Sequence, residues 1–412
     1  MGGKPPRFPH EAQAPGADRP PAAGGHRQGP ETSTGQKTRR GLGRIMIDKV
    51  LPSIPTPALV VDRAVLEHNI ADMARRMRDL GVALRPHWKT SKMVEVARLQ
   101  DQAGCVGFTC ATPAEVECLL DHGYTDLTWA HQPVGPSKVA FAVEANRRGT
   151  VRVALDSLQA ASPLSGAAVD AQVAVPYLIE VDTGLGRAGV TPAQALELAG
   201  RIASLAGLEF EGIITHAGHL GGFGDDRSGL EAEGRAVGTT MVGVARALRE
   251  AGHQVRVVSV GSTPGSTSTP AVAGITEARP GTYVFNDANQ VTLGSTDLTG
   301  CALTVAARVV STPRPGEAII DAGSKSMSSD GPTSGAGFGR VLSEDGSYAD
   351  LEFFKANEEH GFLKGPGVMT LRVGDMVRIV PNHACTTVNM WSRALVIGQQ
   401  GDIEEWKIRA RR

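Results

Sequence analysis

The chain has 412 residues, of which 41% are hydrophobic and 21% charged, with a formal net charge of −1. That length suffices for a barrel of roughly 250 residues plus a smaller domain, and the near-neutral balance argues against a general nucleic-acid or anionic-membrane surface. No uninterrupted apolar run approaches the ~20 residues of a membrane span, and the five cysteines, at 105, 110, 118, 301 and 385, form an odd, scattered set that fits a reducing, cytoplasmic interior better than a disulfide framework.

The opening stretch, "MGGKPPRFPHEAQAPGADRPPAAGGHRQGP", is rich in Pro, Gly and Arg and cannot bury apolar surface, so residues 1–45 are expected to be a disordered extension. It lacks the apolar segment of a secretory signal. Met46 is a candidate start of the working protein, which N-terminal sequencing of native material tests.

From Thr56 a regular alternation begins. "PALVVD" reads as a strand and Arg63 to Leu80 as a helix with apolar residues at helical spacing. "VALRPH", "CVGFTCAT", "DLTWA", "VRVAL", "VPYLIEVD", "LEFEGIITH" and "VRVVSVG" follow as strands with helical segments between them. Counted from "PALVVD" these are eight strand–helix units, the pattern of a closed (β/α)8 TIM-type barrel, over residues 46–285. After about Tyr283 the texture changes to β-branched runs broken by Gly, Pro and Asp, and 286–412 reads as a smaller β-rich domain.

Active sites of such barrels lie where strands end and loops begin. The second strand of this count ends in "RPHWKTSK", which presents Lys89. A lysine there is ordinarily a solvated charge, but flanking His87 and Trp88 could desolvate the amine, and a depressed pKa is what a Schiff-base lysine needs. "EVDTGLGRAGV" contains a literal G-x-G-x-x-G from Gly184 to Gly189. A dinucleotide fingerprint wants an acid at the end of the next strand; here Glu209 and Glu211 fall at that strand's start, and the motif does not open a first βαβ unit. The match is accidental, and Arg187 becomes a cation at the barrel mouth, in competition with a plain surface salt bridge.

The last strand of the count ends in "VGSTPGSTST". Ser262, Thr263 and their glycine neighbours could wrap a phosphate with backbone N–H groups, or simply form a flexible loop, and "EARPGTYVFND" adds Gly281 and Thr282. Near the C-terminus "VRIVPNHAC" sets His383 and Cys385 two apart; on an extended segment both side chains point the same way. An imidazole and a thiolate suit zinc, and two protein ligands leave open positions, the catalytic kind of site. Most such pairs are packing or chance. A lysine, a phosphate loop and an arginine at the strand ends of one barrel jointly describe a pyridoxal 5'-phosphate site.

These segments resemble the alanine-racemase-like (fold type III) pyridoxal-phosphate enzymes, in their D-threonine aldolase and D-serine dehydratase branch. "LRPHWKTSK" is similar to R-P-H-x-K-T-H-K, with Lys89 at the cofactor lysine and Ser91 where histidine is usual. "VDTGLGRAGV" resembles D-T-G-x-x-R-x-G with its Arg187. "VGSTPGSTST", with extra residues around Gly265, and "RPGTYVFND" resemble the phosphate-binding loops, implying contacts from Ser262, Thr263, Gly281 and Thr282. "THAGHL" places His216 where an aromatic Tyr beside the cofactor is usual. "PNHACTTVN" resembles the branch's metal motif, with His383 and Cys385 as ligands.

The resemblance implies a lyase using pyridoxal phosphate and a divalent metal, zinc by the thiolate, on small-molecule D-β-hydroxy amino acids, as a homodimer. Dehydration of D-serine or D-threonine to a 2-keto acid and ammonia, with Lys89 taking the α-proton, is the favoured expectation. The alternative is an aldolase cleaving D-threonine or 3-hydroxy-D-aspartate, with His219 as base. A racemase and a non-catalytic cofactor carrier are more remote, because neither uses a metal.

Overall fold

A computed structural model describes residues 50–411 apart from 334, 336 and 343–347. The expected N-terminal extension and Met46 lie outside the described residues. Two sheets organise the described residues.

Strand β1 (Ala58–Asp62) is followed by β2 (Ala83–Leu84), β3 (Phe108–Cys110), β4 (Asp126–Trp129), β5 (Thr150–Leu155), β6 (Val175–Glu180), β7 (Leu208–Ile214), β8 (Val257–Val260) and β9 (Glu277–Ala278). The parallel sheet has eight strands in the order β2-β9-β8-β7-β6-β5-β4-β3. It curls until its ends meet: His87 bridges Thr109, and the N–H groups of Val106 and Thr109 donate to Leu84 O at 2.9 Å and Pro86 O at 2.8 Å. The TIM-like barrel is therefore present, but its membership differs from expectation by one strand at each end. β1, expected as the first barrel strand, pairs outside the barrel, and β9 from "EARPG" supplies the eighth. All five β1 residues are buried, the signature of a barrel strand, yet a strand central to any covered sheet looks the same.

The second sheet continues with β10 (Leu303–Arg314), β11 (Glu317–Ile320), β12 (Gly339–Leu342), β13 (Tyr348–Ala356), β14 (Gly361–Lys364), β15 (Met376–Pro381), β16 (Arg393–Ile397) and β17 (Ile403–Lys407). Long β10 pairs with β15 through its first half and β11 through its second, so β10, β11, β14, β13, β12 and β15 close an antiparallel barrel. β1 joins this barrel antiparallel to β10 and carries β16 and β17 beyond it. The chain thus enters the β-rich unit before making the parallel barrel, which ties the two units together through one strand.

Helix starts follow local capping chemistry. The Asp62 carboxylate accepts from Val65 N at 3.0 Å to open the helix Arg63–Asp79. Among the described residues no helix is long and apolar enough to cross a membrane.

Candidate functional site

Every barrel residue singled out follows the C-terminal end of a strand, the end where such barrels work. Lys89 sits in a single 3-10 turn, Trp88–Thr90, soon after β2. The turn is pinned from two sides. Fully buried Trp88 donates its indole N–H to Met93 O at 3.1 Å, and buried Lys92 pairs with Glu115 at 3.2 Å and donates to Ala410 O at 2.9 Å. Glu115 also completes a local helix start, accepting from Ala111 N at 2.7 Å while Thr112 caps Glu115 N.

A cavity of about 240 Å³ is lined by Lys89, His87, His216, Arg279, the loop residues Ser262 and Thr263, then Gly281, Thr282, His383 and Cys385. A second lobe of about 320 Å³ shares Lys89, His87, His216 and Arg279 and adds Arg187, Gln132 and Glu180. An outer lobe of about 630 Å³ joins Lys89, His383 and Cys385 to Asp330 and Lys325. The lysine, the phosphate-type loops, Arg187 and the His–Cys pair are thus brought to one connected site.

His216 follows β7; burial first, then the charges of Lys89 and Arg279, push it down to about 3, so its ring is neutral. Arg279 is wholly enclosed after β9, donating to Thr215 O at 2.6 Å and Ser259 Oγ at 2.5 Å, while its Nε has no partner. Burial pulls its pKa down to about 10. His87 Nδ1 is likewise buried without a partner, and burial with the Lys89 charge drives this imidazole well below its ordinary value. Arg187 is more open, 3.8 Å from Glu180.

The loops form a cradle because two glycines stand where side chains would intrude. A Cβ on Gly281 would lie 2.8 Å from the Thr90 hydroxyl, and one on Gly261 3.0 Å from Arg279 Nη2. Ser262 adopts φ 136°, a conformation non-glycine residues rarely hold. The N–H groups of Thr263, Gly281 and Thr282 have no acceptor among the described residues. A reactive amine, free amides, an orphaned arginine nitrogen and a cavity of this size fit a small phosphorylated aldehyde.

His383 and Cys385 meet differently from the expectation. His383 is extended (φ −135°, ψ 110°) but caps the helix Ala384–Met390, and Cys385 lies in its first turn. A cap turn rather than strand alternation brings the pair together. Burial opposes it, but the Cys385 thiolate raises His383, and His383 in turn lowers Cys385. The Cys385 shift is in the direction that favours the thiolate, the form that binds soft metal ions.

His219 does not line any of the three lobes. Its Nε2 is 3.3 Å from Glu233, and its ring packs over Gly184, 3.2 Å from a Cβ placed there. Two residues of the site had no sequence signal strong enough to find them. Arg279 hides in "EARPGT" as one more charge beside a glycine, and Asp330, 2.6 Å from His383 Nδ1, stands 53 residues from it in sequence.

A curled parallel barrel with a lysine and a phosphate cradle at its mouth, fused to an antiparallel β-barrel, defines an alanine-racemase-like enzyme. A family profile described as "Alanine racemase, N-terminal domain" matches residues 61–289, and one described as "Putative serine dehydratase domain" matches 302–397. The D-threo-3-hydroxyaspartate dehydratase of Delftia sp. (strain HT23) is 35% identical over 375 residues, 87% of this chain and 98% of its own. The D-threonine aldolase of Arthrobacter sp. is 32% identical over 371 residues, 88% of this chain and 94% of its own. A solved cysteine-to-alanine variant of D-threo-3-hydroxyaspartate dehydratase, in the metal-free form, superposes with TM-score 0.82 at 34% identity, covering 87% of this chain and 98% of that one. The chain belongs to the fold type III pyridoxal-phosphate enzymes, in the branch of the D-threonine aldolases and D-serine dehydratases. It is a lyase of D-hydroxy amino acids.

Proposed function

We propose that this chain is a pyridoxal-phosphate- and zinc-dependent dehydratase that converts a D-β-hydroxy amino acid to a 2-keto acid and ammonia. The observation that carries the reading is the shared cavity: Lys89 lines the same space as His383 and Cys385. Pyridoxal phosphate, when bound, supplies an electron sink for the bond broken at the substrate's α-carbon. Zinc, when bound, supplies Lewis acidity at the β-hydroxyl.

The remaining roles fall to this chain's residues. Lys89 holds the cofactor aldehyde and accepts the α-proton at its Nζ. Ser262, Thr263, Gly281 and Thr282 hold the phosphate, the three free amides donating to it. Arg187, which lines the lobe shared with Lys89, would hold the phenolic oxygen. His216, kept neutral by its surroundings, offers a flat ring face without adding charge. His383 and Cys385 would be the protein ligands of the metal; a D-threo-3-hydroxyaspartate dehydratase with one cysteine replaced is described in a metal-free form, and a thiolate–imidazole pair favours zinc over manganese or magnesium. The odd, scattered set of five cysteines is consistent with a cytoplasmic location.

Aldol cleavage is the second reading, favoured by the 32% identity to the Arthrobacter aldolase. His219, expected as its base, lies off the cavity beside Glu233, so that reaction would need another group for the hydroxyl proton. Incubating zinc-loaded enzyme with D-threonine decides: 2-oxobutyrate and ammonia are expected, whereas glycine and acetaldehyde would establish the aldolase.

A further inference from the structure

The loop after the short helix Ser324–Met327 brings an acid against the metal motif from the far side of the β-rich unit. Asp330 Oδ2 lies 2.6 Å from His383 Nδ1. The same oxygen accepts from the Thr386 hydroxyl at 3.0 Å. The main chain of Asp330 is fixed as well, since Asn382 Nδ2 donates to its carbonyl at 3.1 Å and its own N–H donates to Ser328 Oγ at 3.3 Å. Ser328 Oγ in turn is 3.1 Å from Thr386 Oγ1. Asp330 is therefore a fixed post, held by the residues that flank the His383–Cys385 pair.

An imidazole has two nitrogens, and a hydrogen bond at one decides which the other can serve. With Nδ1 turned to Asp330, only Nε2 of His383 remains for an ion. His383 needs such a restraint. Its side chain keeps 38% of its surface exposed, so packing alone does not fix the ring. A centre with two protein ligands also has no third one to hold the geometry. Among the described residues no three His, Cys, Asp or Glu side chains are arranged to hold a metal, so Asp330 stands behind the ligand rather than beside it.

We propose that Asp330 is the positioning residue of the metal centre: it holds His383 with Nδ1–H toward its carboxylate, so that Nε2 and the Cys385 sulfur face one ion. The inference rests on the metal reading of the proposed function. A carboxylate behind a histidine ligand orients the ring and makes it a better donor, and removing such a partner typically weakens metal affinity by about 10–100-fold.

The test measures zinc affinity directly, on the cofactor-loaded enzyme, by competition with a chromophoric chelator. Asp330→Ala is expected to raise the zinc Kd about 10–100-fold while the visible absorption of bound cofactor stays unchanged, which shows that the barrel is intact. Asp330→Asn, which keeps an oxygen acceptor but no charge, is expected to fall between the two, and saturating zinc should restore turnover to Asp330→Ala. An unchanged Kd in Asp330→Ala would overturn the inference. So would a loss as complete as that of Cys385→Ala, which would make Asp330 a direct ligand. His383→Ala separates the two levels: if it binds zinc as tightly as the parent, the metal reading itself fails, whatever Asp330 does.

Discussion

Cys385 Sγ lies 3.1 Å from the hydroxyl of Thr90, the residue next to Lys89. One contact therefore joins the β-rich unit's metal motif to the barrel's lysine turn, and Thr282 Oγ1, on the phosphate side, is 3.7 Å from the same sulfur. The lysine, the phosphate cradle and the thiol are neighbours by construction. Shifts of one unit against the other would be felt at all three.

Lys89 and Cys385 should separate cleanly on mutation. Lys89→Ala is expected to lose the visible absorption of bound cofactor and to reduce turnover by at least ~10³-fold, since in the proposed function it is both the tether and the base. Cys385→Ala should keep that absorption but lose zinc and turnover together. Retained turnover in Cys385→Ala would remove the metal from the mechanism. Absorption spectra and steady-state rates on the two purified variants suffice.

Thr90→Val removes the hydroxyl beside the sulfur with little change in volume. A hydrogen bond to a charged acceptor contributes about 1.5–3 kcal/mol, so the melting temperature should fall, and zinc affinity should fall as well because the sulfur loses a donor that favours its thiolate form. A melting curve measures the first and chelator competition the second. Equal zinc affinity in parent and variant would mean that the contact does not stabilise the thiolate.

Gly281→Ala tests the cradle. The added methyl would lie 2.8 Å from Thr90 Oγ1, 3.1 Å from His87 Cβ and 3.2 Å from His87 O. Overpacking of this kind costs about 1–3 kcal/mol, and here it falls between the phosphate side and the lysine turn. Expected are a pyridoxal phosphate Kd raised at least tenfold and a lowered Tm. A variant that binds cofactor normally would place the phosphate elsewhere.

The parts of this site legible in the sequence were those whose chemistry is local. Lys89 follows a strand with aromatic neighbours, and Ser262, Thr263, Gly281 and Thr282 lie in runs of glycine and hydroxyl residues; each signal left a bland alternative open, and only their combination and the resemblance pointed to one site, where the structure does gather them around one space. What depends on the third dimension was not legible. β1 is buried along its whole length, and burial cannot say which sheet buries it. Cys385 turned out to be helical because His383 caps a helix with no side-chain signal of its own. Asp330 and Arg279 matter through contacts with residues far away in sequence, which no periodicity records. His219, expected as the base of the alternative aldolase reaction, is set by the 3-10 turn Gly218–Phe223 beside Glu233, a placement that no spacing in the sequence records.

One part of the pH dependence of stability follows from His216, and a like part from buried His87. The folded pKa of His216, pushed down to about 3 by burial and by the Lys89 and Arg279 charges, lies below the ~6.5 of an exposed imidazole. Between those values the unfolded chain binds a proton that the folded chain refuses. The neutral ring therefore contributes stability that is present above about pH 6.5 and lost as pH falls toward 3, at up to about 1.4 kcal/mol per pH unit. Cofactor-free protein should show a Tm that drops as pH falls from 7 to 4, and His216→Phe should flatten part of that drop. A parallel pH profile in the two proteins would show that His216 is not one of the titrating groups.

Arg279 supplies the last test, because its charge and its hydrogen bonds act on different observables. Its guanidinium donates to Thr215 O and Ser259 Oγ, and Ser259 Oγ continues to Glu277 Oε1 at 2.6 Å. Arg279→Met leaves those buried acceptors unpaired and Glu277 with one cation fewer nearby, a loss of about 3–5 kcal/mol when one member of a buried network is removed. Removing the positive charge also relieves His216, whose pKa should rise in an NMR titration of the imidazole. A fall in Tm without movement of the His216 titration would mean that burial and Lys89 alone hold that ring neutral, and that Arg279 serves the barrel's packing rather than the electrostatics of the site.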